Sequence, residues 1–138
     1  MKTLKLFFPA LFIVVVLGSA CGHVSMSGEM GDKFYSYLQQ KNYEAIVQML
    51  DNEALQKYSK KEWINMLASR NEYLGKPKSY KTVGFHTETL PDKKIIKLDY
   101  KVDNPNGEVF EEIKLVVKKD CLKLLSYSFV TDVAMAEK

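Results

Sequence analysis

The stretch KIIKLDYKVDNPNGEVFEEIKLVVK, residues 94–118, decides the fold because it holds two runs of alternating apolar residues on either side of a turn signal. Alternation with a period of two is typical of strands that bury one face, so residues 94–102 and 108–118 are predicted to be strands. The segment Asn104-Pro105-Asn106-Gly107 is rich in turn-forming residues and predicts the connection. Because this connection is short, the two strands are expected to run antiparallel.

The apolar faces of the two strands also predict their register. Aligning the faces pairs Ile96 with Leu115, Leu98 with Ile113, Tyr100 with Glu111 and Val102 with Val109. A slip of one residue would turn both faces toward water. Glu111 is then the one carboxylate on an otherwise apolar face, and it lies opposite Tyr100.

Two further strands are predicted beside these, over residues 79–87 and 122–130, with turns at Leu90-Pro91-Asp92 and Lys119-Asp120-Cys121. In the last strand the apolar parity changes between Leu124 and Leu125, which predicts a β-bulge. The four strands form an antiparallel meander.

Helical spacing replaces the alternation before the sheet. From Asp32 the pattern predicts a hairpin of two short helices, with Asn42 capping the second. Asp51-Asn52 is expected to end that helix before a short turn through residues 54–58.

A third helix is the most clearly marked element before the sheet. Ser59 and Glu62 form a capping box at its start, and Gly75 and Pro77 end it near Leu74. Trp63 is expected to be buried between this helix and the sheet. Arg70 lies on or beside the buried stripe, where it would hold a carboxylate or backbone carbonyls, or extend its charged end to water.

The N-terminus reads as an export signal. Lys2 and Lys5 precede an apolar run over residues 6–17, and Gly18-Ser19-Ala20-Cys21 follows, an order that resembles the signal peptides of bacterial lipoproteins. The resemblance implies lipidation of Cys21 and anchoring to the envelope membrane through that lipid. Plain secretion is the alternative, and a retained spanning helix is disfavoured because the run is short and contains Pro9.

These signals divide the chain into a signal peptide (1–20), a flexible tether (21–31), a single domain (32–130) and a disordered tail (131–138). Without the signal peptide, the chain has 18 basic and 17 acidic side chains, mixed along the sequence. This nearly neutral balance disfavours nucleic acid as a partner. No cofactor-binding motif or metal-ligand spacing is found, and His23 is read as a solvated side chain. Cys121 is read as structural rather than catalytic.

A family resemblance rests on four segments: Phe34-Tyr35-Ser36-Tyr37-Leu38, Asn42-Tyr43-Glu44-Ala45, the run from Trp63 to Gly75 with its Arg70, and Leu122-Lys123-Leu124 with Tyr127. Together they resemble small exported domains of the nuclear transport factor 2-like superfamily. The resemblance covers roughly residues 30–130 and implies an α+β cystatin-like roll, in which N-terminal helices pack on a curved four-stranded antiparallel sheet. Some members use the concave side for isomerase or dehydratase chemistry and many others use it for binding.

The expected function is a non-catalytic envelope protein that binds a small molecule or a protein partner. The alternatives are a pocket enzyme of the ketosteroid isomerase type and a purely structural scaffold. A site is predicted at the mouth of the curved sheet face, formed by Tyr100, Glu111 and Arg70, with Glu111 as base and Tyr100 as oxyanion donor in the enzyme alternative. The competing interpretation is that Glu111 reaches water and pairs with a lysine.

Overall fold

Four helices precede a four-stranded antiparallel sheet in the computed structural model, which describes residues 22–131. The helices are α1 (Gly22–Gln39), α2 (Tyr43–Val47), α3 (Asn52–Lys57) and α4 (Lys60–Leu74). The strands are β1 (Ser79–Thr89), β2 (Lys94–Asn104), β3 (Gly107–Lys118) and β4 (Cys121–Thr131). They lie in the order β1-β2-β3-β4, and the sheet is not closed. The predicted α+β class and meander are confirmed.

Three predictions concern residues outside this range: the signal peptide, lipidation of Cys21 and the tail after Thr131. The prediction that the tail begins at residue 131 differs from the structure by one position, because Thr131 ends β4. Within residues 22–131, no helix combines the length and the apolar character needed to cross a bilayer.

The predicted register of the central strands is confirmed at every pair. Ile96 lies opposite Leu115, Leu98 opposite Ile113, Tyr100 opposite Glu111 and Val102 opposite Val109. These residues form the inner face of the sheet, which the helices cover. The bulge predicted in β4 is also confirmed, because Lys114 pairs with Ser126 and Leu115 with Leu124, leaving Leu125 between them. A second bulge at Val83 in β1 was not predicted.

The helices pack their apolar faces on that inner face, and Trp63 is buried as predicted, with 3 % of its surface exposed. The capping box of Ser59 and Glu62 is confirmed, since each side chain accepts the other residue's backbone N–H. Gly75 ends α4 with a φ of 85°, a conformation that favours glycine. The core combines buried residues of the helices with those of the inner face: Phe34, Tyr35, Leu38, Ile46, Trp63, Leu67, Ile96, Leu98, Ile113, Leu115 and Leu124.

The tether predicted over residues 21–31 is wrong for residues 22–31, which form the first half of α1. Glycine and serine are poor helix formers, and the prediction relied on that local preference. Tertiary packing overrides it: Ser27 is buried, and Met26 and Met30 pack against the core. A Cβ at Gly31 would overlap the hydroxyl of Tyr100, so glycine allows α1 to approach β2 closely.

The turn predicted over residues 54–58 is also wrong, because Asn52–Lys57 forms the short helix α3. Asp51 caps it by accepting the backbone N–H of Glu53 at 3.0 Å. The segment before the cap pairs with the sheet: Leu124 donates to the carbonyl of Met49 at 2.7 Å and accepts from Asp51 N–H at 2.8 Å. The main chain thus connects the helical layer directly to the first part of β4.

Candidate functional site

A buried ion pair joins two of the three predicted site residues. Arg70 Nη2 donates to Glu111 Oε2 at 2.7 Å, and Arg70 Nε donates to the same oxygen at 3.1 Å. Neither side chain has any exposed surface. Arg70 projects from α4 and Glu111 from β3, so the pair spans the helix-to-sheet junction. Of the alternatives given for Arg70, the interpretation that its guanidinium holds a carboxylate is confirmed.

Further hydrogen bonds complete what we call the buried polar cluster. Tyr35 of α1 donates its hydroxyl to Glu111 Oε1 at 2.8 Å, and Arg70 Nε also donates to Tyr127 Oη of β4 at 3.1 Å. The other guanidinium nitrogens donate to Asn104 Oδ1 at 2.7 Å, Asn71 Oδ1 at 3.0 Å and the Gly75 carbonyl at 2.9 Å. Within residues 22–131, no buried side-chain nitrogen or oxygen lacks a partner. The cluster therefore meets the condition under which buried charges are tolerated.

Burial is the main cause of the altered acidity of the two tyrosines in this cluster. It raises the pKa of Tyr35 well above the ordinary tyrosine value, and the negative charge of Glu111 raises it further. The pKa of Tyr127 is raised for the same two reasons, although Arg70 opposes the rise. For Arg70, burial lowers the pKa, but Tyr127 and Glu111 more than offset that effect and the net direction is upward. Both phenols therefore remain protonated at neutral pH.

Tyr100, the third predicted site residue, lies outside this cluster. Its register opposite Glu111 is as predicted, but its ring packs edge-on against Tyr35 and Tyr80, with centroids 5.0 and 6.0 Å away. The hydroxyl that donates to Glu111 belongs to Tyr35, and the oxyanion-donor role predicted for Tyr100 stays a prediction. Burial also raises the pKa of Tyr100.

The interpretation of Glu111 as a rim carboxylate paired with a lysine is wrong, because Glu111 is 2 % exposed and paired with Arg70. Arg70 and Tyr100 are equally buried, at 1 % and 2 %. A direct binding role for the three stays a prediction. The closed arrangement of Arg70 and Glu111 favours an indirect role, in which Arg70 holds the Tyr127 hydroxyl.

Tyr127 connects the cluster to an open depression that we call the aromatic groove, of about 420 Å³, lined by Tyr58, Glu62, Trp63, Met66 and Tyr127. An adjoining depression of about 220 Å³ shares most of these residues and extends along β4 past Leu125, Ser126 and Ser128. Tyr58 stands at the rim with half of its surface exposed, whereas Trp63 and Tyr127 form the floor. The groove thus has an aromatic floor and one wall made by the edge of the sheet.

That wall is an unpaired strand edge. β4 is the last strand of the sheet, and the bridge between Leu50 and Leu124 covers only its beginning. From Leu125 onward, no other strand of the described chain lies beside its outer edge. Backbone N–H and C=O groups along such an edge are available to a further strand.

A second depression, of about 460 Å³, lies on the outer face of the sheet. Val83, Phe110 and Val130 give it apolar surface, and charged side chains border it. These charges are already matched: Lys97 pairs with Glu112 at 3.2 Å and His86 lies 3.5 Å from Asp99. We therefore regard the aromatic groove as the better candidate site.

In the part of the chain that the structure describes, no three His, Cys, Asp or Glu side chains are grouped to hold a metal ion. Cys121 is the first residue of β4 and an exposed free thiol. The expectation that it is a partly buried structural residue is therefore wrong.

No protein-family model matches the chain, and no curated protein shows significant sequence similarity to it.

The sequence prediction did not identify the aromatic groove. Its residues come from the α3–α4 corner and from β4, more than 50 positions apart in the chain. The one local signal was Tyr58, an aromatic residue directly before the capping box and outside the apolar stripe of α4.

Proposed function

We propose that this protein is an exported, lipid-anchored envelope protein whose domain binds an extended peptide segment of a protein partner and catalyses no reaction. The peptide lies along the outer edge of β4 and places an apolar side chain in the aromatic groove. The observation that carries this proposal is the position of an open strand edge directly beside an aromatic depression.

Strand addition supports the choice of an extended peptide as ligand. Main-chain hydrogen bonds to an exposed sheet edge provide affinity, and a neighbouring pocket that accepts a side chain provides specificity. The chain itself uses the first part of this edge in the same manner, because Met49 and Asp51 both bond to the backbone of Leu124. A bound peptide would continue the row that the chain's own segment begins.

The buried polar cluster supports binding over proton-transfer chemistry. An enzyme of the ketosteroid isomerase type needs a carboxylate within reach of its substrate. The Glu111 carboxylate instead accepts hydrogen bonds from Arg70 and Tyr35 on its two oxygens and has no exposed surface. In this proposal the cluster has a positioning role, because Arg70 holds the Tyr127 hydroxyl from behind while the ring forms the groove floor.

The finer fold assignment is part of the same proposal. Helices that cover one face of a four-stranded antiparallel meander are consistent with a cystatin-like roll of the nuclear transport factor 2-like superfamily. A fold of this kind does not select a function by itself. The proposed function therefore depends on the groove and the edge rather than on the resemblance.

A random-peptide display selection against the exported chain tests the proposal. Selected peptides should carry an aromatic or large aliphatic side chain, and their binding should shift the emission of Trp63, the single tryptophan of the chain. Tyr58→Ala should weaken binding about tenfold, because it removes an exposed aromatic wall of the groove. Tyr73→Ala is the matched control, since Tyr73 is an exposed tyrosine on α4 that does not line the groove.

Equal affinity of the two alanine variants would contradict the proposed site. Peptides that bind without changing Trp63 emission would also contradict it, because Trp63 forms part of the groove floor. A peptide whose backbone amides facing β4 are methylated cannot donate main-chain hydrogen bonds to the strand edge. It therefore distinguishes strand addition from binding through the side chain alone. We expect the methylated peptide to lose binding.

A further inference from the structure

β1, at the opposite edge of the sheet from β4, is long and unusually open. It spans 11 residues, and nine of them are exposed. Val83 and Phe85 expose 49 % and 41 % of their surfaces, and no strand of the described chain pairs with the outer edge of β1. An open edge of this length with exposed apolar side chains and no proline favours pairing with another strand.

We propose that β1 is a homodimerisation edge, at which β1 of a second copy pairs antiparallel and joins the two four-stranded sheets into one continuous sheet. The occupant is a second copy because the side chains of β1 are complementary to themselves. A two-fold dimer requires this kind of self-complementary surface.

The bulge at Val83 sets the register in which this complementarity appears. Val83 has no partner of its own in β2, because Thr82 lies opposite Tyr100 and Gly84 lies opposite the adjacent residue Asp99. If Val83 is also left out of the pairing between the two copies, a two-fold axis at Phe85 places Phe85 opposite Phe85 of the second copy. Lys81 then lies opposite Glu88 of the second copy, and Thr82 opposite Thr87.

Each opposed pair in this register lies on one face of the sheet, as direct cross-strand neighbours must. Thr82, Phe85 and Thr87 lie opposite inner-face residues of β2, namely Tyr100, Leu98 and Ile96. Lys81 and Glu88 both project from the outer face, because their partners in β2 are Lys101 and Ile95. Without the bulge, Lys81 and Glu88 would lie on opposite faces and could not meet.

The charges also favour this register over its neighbours. Opposite charges, paired aromatics and paired threonines are cross-strand combinations that stabilise a sheet. Lys81 and Glu88 take part in none of the ion pairs found within the described chain, so both are available to a second copy. Centring the axis on Gly84 or His86 instead would place neither Lys81 opposite Glu88 nor Phe85 opposite Phe85.

A charge swap tests the dimer in the exported chain by sedimentation at micromolar concentration. We expect a dimer for the wild type and at least a tenfold weaker dimer for Lys81→Glu, which places like charges opposite each other twice. The double variant Lys81→Glu with Glu88→Lys should restore the wild-type affinity. Lys119→Glu is the control, because Lys119 lies in the turn between β3 and β4 and makes the same change in net charge.

Cysteine cross-linking tests the position of the axis independently. In a chain with Cys121 replaced by Ser and Cys21 kept for its proposed lipid, Phe85→Cys should give a covalent dimer on oxidation, because residue 85 faces its own copy. The same chain without Phe85→Cys should give none. Val130→Cys is the matched control, since Val130 is 40 % exposed and lies on β4. A wild type that stays monomeric, a double swap that fails to restore the dimer, or cross-linking through position 130 instead of 85 would overturn the proposal. The aromatic groove lies at the other edge of the sheet, so these results are independent of the peptide-binding test.

Discussion

Glu111 is the residue whose replacement the core should tolerate least. Glu111→Gln removes the negative charge and leaves the Arg70 guanidinium buried without a counter-charge. Removing one partner of a buried ion pair costs about 3–5 kcal/mol. We therefore expect the free energy of unfolding to fall by that amount, measured by urea denaturation followed through Trp63 emission.

Glu112→Gln is the control for this measurement. Glu112 is the next residue in β3, but it faces outward and pairs with Lys97 and Lys114 at a partly exposed site. Its replacement should cost less than about 1 kcal/mol. Equal losses for the two variants would show that the buried ion pair has no special importance for stability.

The tyrosines whose pKa is raised in the folded protein predict a loss of stability at alkaline pH. Burial and the hydrogen bond to Asp32 raise the pKa of Tyr80 to about 12, and burial raises those of Tyr35 and Tyr127 well above the ordinary value. Between the unfolded pKa, about 10, and the folded pKa, the unfolded chain loses protons that the folded chain keeps. Stability should therefore be fully present below about pH 10 and decline as the pH rises through the folded values.

The comparison with Tyr80→Phe separates this effect from the lysines that titrate in the same range. The variant lacks one raised pKa, so its urea midpoint should fall less steeply than that of the wild type between about pH 10 and pH 12. Parallel curves would contradict the assignment to Tyr80.

The register of the inner face could be predicted at residue level, but the donor to Glu111 could not. Alternation along β2 and β3 determines which side chains share a face, and this placed Tyr100 opposite Glu111. It contains no information about which helical residue lies above that pair. The donor is Tyr35, which is 76 positions away in the chain.

At the scale of the element, α1 offers a test with two glycines of opposite expected effect. A Cβ at Gly31 would overlap the Tyr100 hydroxyl, whereas a Cβ at Gly28 would meet nothing within 4 Å. Gly28→Ala should stabilise the protein by about 0.5–1 kcal/mol, because alanine is the better helix former. Gly31→Ala should destabilise it, because α1 or Tyr100 must move. Thermal unfolding measures both, and a stabilising Gly31→Ala would show that α1 is not seated against β2.

The elements differ in how far local sequence determines them. α4 and the strands β2, β3 and β4 carry strong signals of their own, namely a capping box, apolar alternation and a parity change, and these predictions are confirmed. The first half of α1 and the short α3 carry weak signals, because packing on the rest of the protein stabilises them. The bulge at Val83 was missed because few side chains of β1 are buried, which leaves little apolar pattern to interrupt.

For the whole molecule, the proposed lipid anchor predicts the chemical structure of the mature N-terminus. Mass spectrometry of the exported protein should find Cys21 as the first residue, carrying a diacylglyceryl thioether, and the protein should fractionate with membranes. Cys21→Ala should remove the lipid and leave the precursor uncleaved at this site. An unmodified Cys21, or release of the wild type into the medium, would contradict the anchor.

The position of β4 has a consequence for how such a chain reaches its compartment. Tyr127 of β4 closes the core by a contact with Arg70, which precedes it by 57 residues. At about 5–20 residues per second, a ribosome needs roughly 3 to 11 seconds to extend the chain from one to the other. During that interval the helices have been synthesised, but the strand that completes their core has not. For the exported precursor proposed above, we expect this delay to keep the chain unfolded long enough to be threaded through a membrane channel before the last strand completes the core.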